Sequence, residues 1–279
     1  MPETRSSFFA PAFTATKDKT PALRAGFRFG KVGTHSSRTM MLEELGEVFL
    51  AVPPDSSADQ YVHAIVEDNC LGKQTASNRK HSLQHLRELY GMDPRIPLFR
   101  VLASLWPLDT AGRPLLALLA ALARDPLLRA TASAIGVMMP GSEYQRSAMR
   151  EALGRAAEER LNDSTVEKIV RNAASSWAQS GHLEGRTFKM RRVATATPVA
   201  AAFALYLADR AGFHGNETLT SAWVKLLDCG TSTAMELALE AKRMGLIDVR
   251  VSGEVMELGV GRLDPGIRSA GDGGMRETD

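Results

Sequence analysis

Apolar residues recur three and four positions apart along most of the chain, which is the spacing of helix faces. Over residues 37–52, Met41, Leu42, Leu45, Val48 and Phe49 fall on one side, and Pro53 and Pro54 end the helix. A second helix covers 57–68, with Tyr61, Ile65 and Val66 inward, and a link over 69–74 contains Gly72. A third runs from Thr75, a good N-cap, to Tyr90; Leu83, Leu86 and Leu89 line its buried face and Gly91 stops it. Further helices fit 95–106, 112–124, 126–138 and 142–161. Ser164, Thr165, Val166 and Glu167 read as a capping box opening a helix that carries Ile169, Val170, Ala173 and Trp177 and stops at Gly181. Residues 182–197 are broken and β-prone, and Pro198 opens a helix to about Ala211. Helices at 216–228 and 232–244, then a hairpin over 246–260 turning at Ser252 and Gly253, follow the order of a winged-helix core.

The pattern predicts a mainly α protein: a helical bundle with helix-turn-helix and winged-helix elements and short β-hairpin wings. Both ends lack periodicity. Residues 1–37 are rich in Ser, Thr, Pro and Gly and carry Arg5, Lys17, Lys19, Arg24, Arg28 and Lys31 against Glu3 and Asp18, which predicts a disordered basic arm. Residues 264–279 read as a disordered tail. Between them lie a helical domain with the helix-turn-helix at 38–161 and a winged-helix-like domain at 162–263.

Composition alters this little. Leu and Ala dominate an apolar content of 44%, which favours helix over strand. The net charge is only +2, so an anion-binding surface has to come from local clustering. The most apolar run, residues 114–123, is far shorter than the ~20 residues needed to span a bilayer, and Arg113 and Arg124 flank it. It reads as a buried core helix, and no membrane association is expected. Cys70 and Cys229 are far apart and form no C-x-x-C pair, which fits a reducing cytoplasm.

Catalytic signatures fail by countable residues. Gly26 to Lys31 has three residues between its glycines where a phosphate loop needs four, and Val32 replaces the hydroxyl residue. Lys73 follows Gly72 without the upstream glycine. His63 and Glu67 share a helix face, but two ligands do not make a metal site. The carboxylates of 142–161 alternate with Arg146, Arg150, Arg155 and Arg160 as a solvated face. No enzyme activity, cofactor or metal is expected.

Two acid-free basic stretches remain. From Lys73 to Arg87 the chain has no Asp or Glu, and the predicted helix opens with Thr75, Ser77 and Asn78 followed by Arg79 and Lys80. Short polar residues and a helix N-terminus allow close approach to phosphate, and Asn or Arg can read a base edge. From Gly185 to Ala208 there is again no acid, and Arg186, Lys189, Arg191 and Arg192 would form a basic wing suited to phosphates. The plain alternative is an amphipathic helix with a solvated basic face for the first and a solvated loop for the second. The C-terminal hairpin opposes Asp248, Glu254 and Glu257 to Arg250, which suits a structural or protein-contact role.

The run YVHAIVEDNCLGKQTASNRKHSLQHLRELYGMDPRIPLFRVLASLW, residues 61–106, resembles the opening of small helical accessory proteins of bacteriophage-exclusion (BREX) systems. Ala64, Ile65, Asn69, Leu71, Lys73, Thr75 and Arg79 carry the likeness. STVEKIVRNAASSWAQSGHLEGR, 164–186, resembles their later capped helix and wing. The resemblance spans roughly 40–205 and implies a non-enzymatic component of a phage-defence operon. It implies contact with double-stranded DNA by the helix at Thr75 to Lys80 and by the wing at Arg186 to Arg192, with other defence proteins as further partners. The unit at 216–263 and the N-terminal arm are additions to that pattern. Rival readings are a protein-interaction scaffold docking a larger enzyme, an RNA-binding antitermination-like module and, weakest, a nuclease with an unrecognised site.

Overall fold

Two helices of Ala and branched apolar residues form the centre. In α6 (Arg113–Arg124) every side chain from Leu115 to Arg124 is buried, and in α11 (Pro198–Arg210) every one from Val199 to Ala208. A helix that is apolar all round has to be surrounded. These two pack on each other and on helices drawn from both halves of the chain. The protein is mainly α-helical, as the periodicity predicts, and among the described residues it carries two small antiparallel hairpins. The computed structural model describes residues 13–157, 161–252 and 255–265.

The first half adds α1 (Thr20–Ala25), α2 (Leu42–Ala51), α3 (Ala58–Val66), α4 (Ala76–Tyr90) and α5 (Pro97–Leu105). After α6 come α7 (Pro126–Ala130), α8 (Ala132–Gly136), α9 (Arg146–Ala157) and α10 (Asp163–Gln179). The first hairpin pairs β1 (Leu183–Glu184) with β2 (Met190–Arg191). After α11 the chain forms α12 (Glu217–Thr220), α13 (Ala222–Lys225), α14 (Thr231–Arg243) and the second hairpin, β3 (Asp248–Ser252) with β4 (Val255–Gly259). Its turn residue Gly253 lies outside the described residues. One continuous cluster of buried apolar side chains runs from Phe13 to Leu263. Among the described residues no helix is long and apolar enough to cross a membrane.

Several expectations are corrected. The disordered arm is, over residues 13–37, packed structure: Phe13, Ala22, Ala25, Phe27, Thr34 and His35 are buried. Phe13 and Phe27 both meet the Trp223 ring edge-on, with centroids 4.9 and 5.4 Å away. Gly33 passes so close to the Asp125 carboxylate that a Cβ would collide with it. Residues 1–12 lie outside the described residues, as do 266–279 of the expected tail; Asp264 itself is buried, with Oδ1 accepting from Arg100 Nε at 2.9 Å.

The helix expected over 37–52 starts only at Leu42, because Met41 takes a left-handed backbone at φ +54° and cannot continue a helix from the residues before it. The stretches 126–138 and 216–228 are each two short helices. Thr131 breaks the first, its hydroxyl accepting from Trp177 Nε1 at 2.8 Å. Ser221 breaks the second with an extended backbone and caps α13. The capping box at Ser164 is not formed: Asn162 caps α10 by accepting from the Thr165 amide at 2.9 Å. Glu167 instead pairs with Arg146 and Arg150 across α9.

Candidate nucleic-acid interface

The two helices expected at 57–68 and 75–90 form where the sequence places them. Ser57 caps α3 in a reciprocal box with Gln60, Thr75 Oγ1 accepts the Asn78 amide at 3.1 Å, and Gly91 ends α4 at φ +100°. The first turn of α4 exposes Thr75, Ser77 and Asn78, with Lys80 and His81 following. Two of the predicted bases have intramolecular work. Arg79 is half-buried, and its Nη1 donates to the Val66 carbonyl at 2.8 Å, closing the end of α3. Lys73 Nζ pairs with Glu44 of α2 at 3.1 Å. Beyond them, Arg28, Lys80, Arg87 and Glu88 line a shallow groove of about 520 Å³ along α4.

The wing differs more from expectation. Only residues 190–191 of the second stretch are strand; 185–189 form a loop. Residues 141–144 run alongside β2: Arg191 donates its amide to Ser142 and Tyr144 donates its amide to Lys189, each at 2.8 Å. Arg191, predicted to touch DNA, is 5% exposed. Its guanidinium donates to both carboxylate oxygens of Asp228, at 2.7 and 2.5 Å, and to the Arg192 carbonyl. Asp228 reaches it from the residues after α13, at φ +57°. A buried, saturated guanidinium cannot also serve phosphate, so Arg191 leaves the interface. Arg192 is exposed but paired with Glu184, and Lys189 Nζ donates to the Gly185 carbonyl at 3.0 Å. Arg186 is exposed.

Between this loop, α10 and the start of α9 lies a cleft of about 840 Å³. Arg146, Arg171, Arg186 and Lys189 line it against one acid, Glu143. Arg146 is engaged with Glu167 at 2.7 Å. Phe188 stands at its edge, 72% exposed, and Val170 and Ala174 form part of its wall. Sequence reasoning selected Arg186 and Lys189 but missed Arg171 and the exposure of Phe188. Arg171 lies on the solvent side of an amphipathic helix, and nothing local marks it as facing a cleft.

A second constellation escapes sequence reading altogether. His35 Nδ1 lies 2.8 Å from Asp125 Oδ2, and His35 Nε2 lies 2.8 Å from Ser176 Oγ. The order resembles a nucleophile, base and acid relay. Here all three residues are at most 1% exposed. Ser176 Oγ also accepts the Met40 amide at 2.8 Å and lies 3.0 Å from the Asn172 carbonyl. Burial raises the Asp125 carboxyl pKa; the His35 charge and hydrogen bonds from His35 and Leu128 outweigh it and hold the carboxyl low. The network binds residues 33–40 to α7 and α10. His63 sits 3.4 Å from Asp68, both exposed, and among the described residues no three His, Cys, Asp or Glu side chains converge on a metal position. Cys70 and Cys229 are free, half-buried thiols whose pKa values burial pushes up. No protein-family model and no curated protein matches this chain.

Proposed function

We propose that the chain is a non-enzymatic, cytoplasmic protein that binds duplex DNA, in the manner of an accessory component of a BREX-like phage-defence system. The observation that carries this reading is the first turn of α4. Ser77 and Asn78 are exposed there and Lys80 just after, on a capped helix docked against α3 in helix-turn-helix order. Small polar side chains ahead of a base, on a helix N-terminus, suit entry into a groove. Arg186 and Arg192 on the wing would add phosphate contacts, while Arg79 would position the helix through α3. Binding measured against salt tests this. Log affinity for duplex DNA should fall with log salt at about −0.9 per phosphate contact. Asn78→Ala with Lys80→Ala should weaken binding, and Arg250→Ala, on the acidic C-terminal hairpin, should leave it unchanged. No duplex binding at low salt, or a slope near zero, sinks the reading. Preferential displacement by single-stranded RNA would replace it with the RNA-binding one.

One observation favours a scaffold role as the second reading. Val137, Met139, Phe188 and Val193, each more than half exposed, form an apolar set around the 137–144 segment and the wing. Such residues suit a protein partner.

A further inference from the structure

We infer that the cleft between α10 and the 185–189 loop holds an unpaired segment of single-stranded DNA, with a base stacked on Phe188 and phosphates against Arg171 and Arg186. This rests on the DNA reading above only for the class of ligand. The cleft's volume of about 840 Å³ falls in the range of ligand sites. Its lining combines the two features that non-specific single-strand binding needs: cations that follow the backbone and an aromatic face for a base.

Arg171, Arg186 and Lys189 outnumber Glu143, while Arg146 is held by Glu167. The loop is built to keep Phe188 outward. Gly185 turns at φ +109°, where a Cβ would collide with the Phe188 carbonyl. Lys189 Nζ bridges back to the Gly185 carbonyl, and the Tyr144 amide holds the Lys189 carbonyl. Phe188 is thus the most exposed aromatic ring among the described residues, and it sits between two bases in sequence. In a duplex each base is already stacked on its neighbours, so an aromatic face at a cleft edge has nothing to receive. An unpaired base offers its face freely. Ser147, Ser175 and Thr187 add hydroxyls along the same lining.

Binding of a labelled oligothymidylate and of a blunt mixed-sequence duplex, each at low salt, tests the inference. The wild type should bind the single strand. Phe188→Ala should weaken that binding roughly 5- to 150-fold, the loss expected on removing one stacking aromatic, while Phe188→Trp retains it. Arg171→Ala should flatten the salt slope for the single strand by about 0.7, the share of one phosphate. Phe188→Ala should leave duplex affinity unchanged, and Asn78→Ala with Lys80→Ala should weaken the duplex but not the single strand. If the wild type ignores the single strand, or Phe188→Ala binds it equally well, the inference is overturned. Single-strand binding without duplex binding would uphold the cleft and overturn the helix-turn-helix reading.

Discussion

Arg191 and Asp228 meet with side chains only 6% and 13% exposed and share two hydrogen bonds. Truncating one member of such a pair leaves the other as an uncompensated buried charge. Arg191→Ala should therefore lower unfolding free energy by about 3–5 kcal/mol. Arg192→Ala, whose ion pair with Glu184 is solvated on both sides, should change it by no more than about 0.5 kcal/mol. Urea unfolding of the two variants separates these outcomes, and equal effects would show the assignment to be wrong. His182 lies beside the same pair, with Nε2 3.0 Å from the Leu226 carbonyl and Nδ1 2.8 Å from Ser180 Oγ. Burial is the main cause that lowers its pKa to about 4; the Asp228 charge opposes this and Arg191 adds to it. The unfolded chain takes up this proton near pH 6.5 and the folded chain only near pH 4. The contribution is thus complete above pH 6.5 and is lost as pH falls from there through 4. His182→Gln removes the titration. The unfolding free energy of the wild type minus that of the variant should fall by on the order of 3 kcal/mol across that window. A pH-independent difference would contradict it.

Among the elements, α4 is the one whose two ends the sequence marks by itself. Thr75 and Gly91 are adjacent to the turns they terminate, so cap chemistry is local information. α10 shows where such information is ambiguous. Asn162 and Ser164 are both competent caps, and Glu167 sits where a box would need it. Arg146 and Arg150 on α9 claim that glutamate, and the helix opens two residues earlier than the box requires, at Asp163. Asn162→Ala should cost about 0.5–2 kcal/mol of stability. Ser164→Ala, whose hydroxyl only touches the exposed Asn162 side chain, should stay within about 0.5 kcal/mol. Thermal melting of both variants checks the order; a larger loss at Ser164 would restore the box. The wing was legible as a break in helical period that could be strand or solvated loop, and residues 185–189 are loop. Strand alternation cannot reveal that residues 141–144 occupy the side of β2 opposite β1.

At the scale of the molecule, the N-terminal segment is the largest departure from expectation. Ser, Thr, Pro and Gly without periodicity, with six bases against two acids, suggested an arm, yet Phe13 and Phe27 insert against Trp223, and Arg124 and Arg129 hold the Gly26 and Arg28 carbonyls. Phe27→Ala should destabilise the protein by about 3–5 kcal/mol, the usual cost of a large core truncation. A mobile arm would lose almost nothing, so denaturant unfolding decides between them. By itself the sequence determined the helical class, the all-round burial of α6, the ends of α4 and the absence of a helix long enough for a membrane among the described residues. Each depends on periodicity, cap chemistry or run length within a few turns of chain. Only the tertiary structure decided which charges were free. Acid-free stretches of sequence met acids in space: Glu44 takes Lys73, and Asp228 takes Arg191. The same is true of His35, Asp125 and Ser176, which come together from three distant segments. Electrostatic and hydrogen-bond partners are set by distance in the folded chain rather than along it. The candidate interface is therefore narrower than the sequence alone suggested: the first turn of α4, the exposed part of the wing, and a cleft whose wall and aromatic edge no local pattern announced.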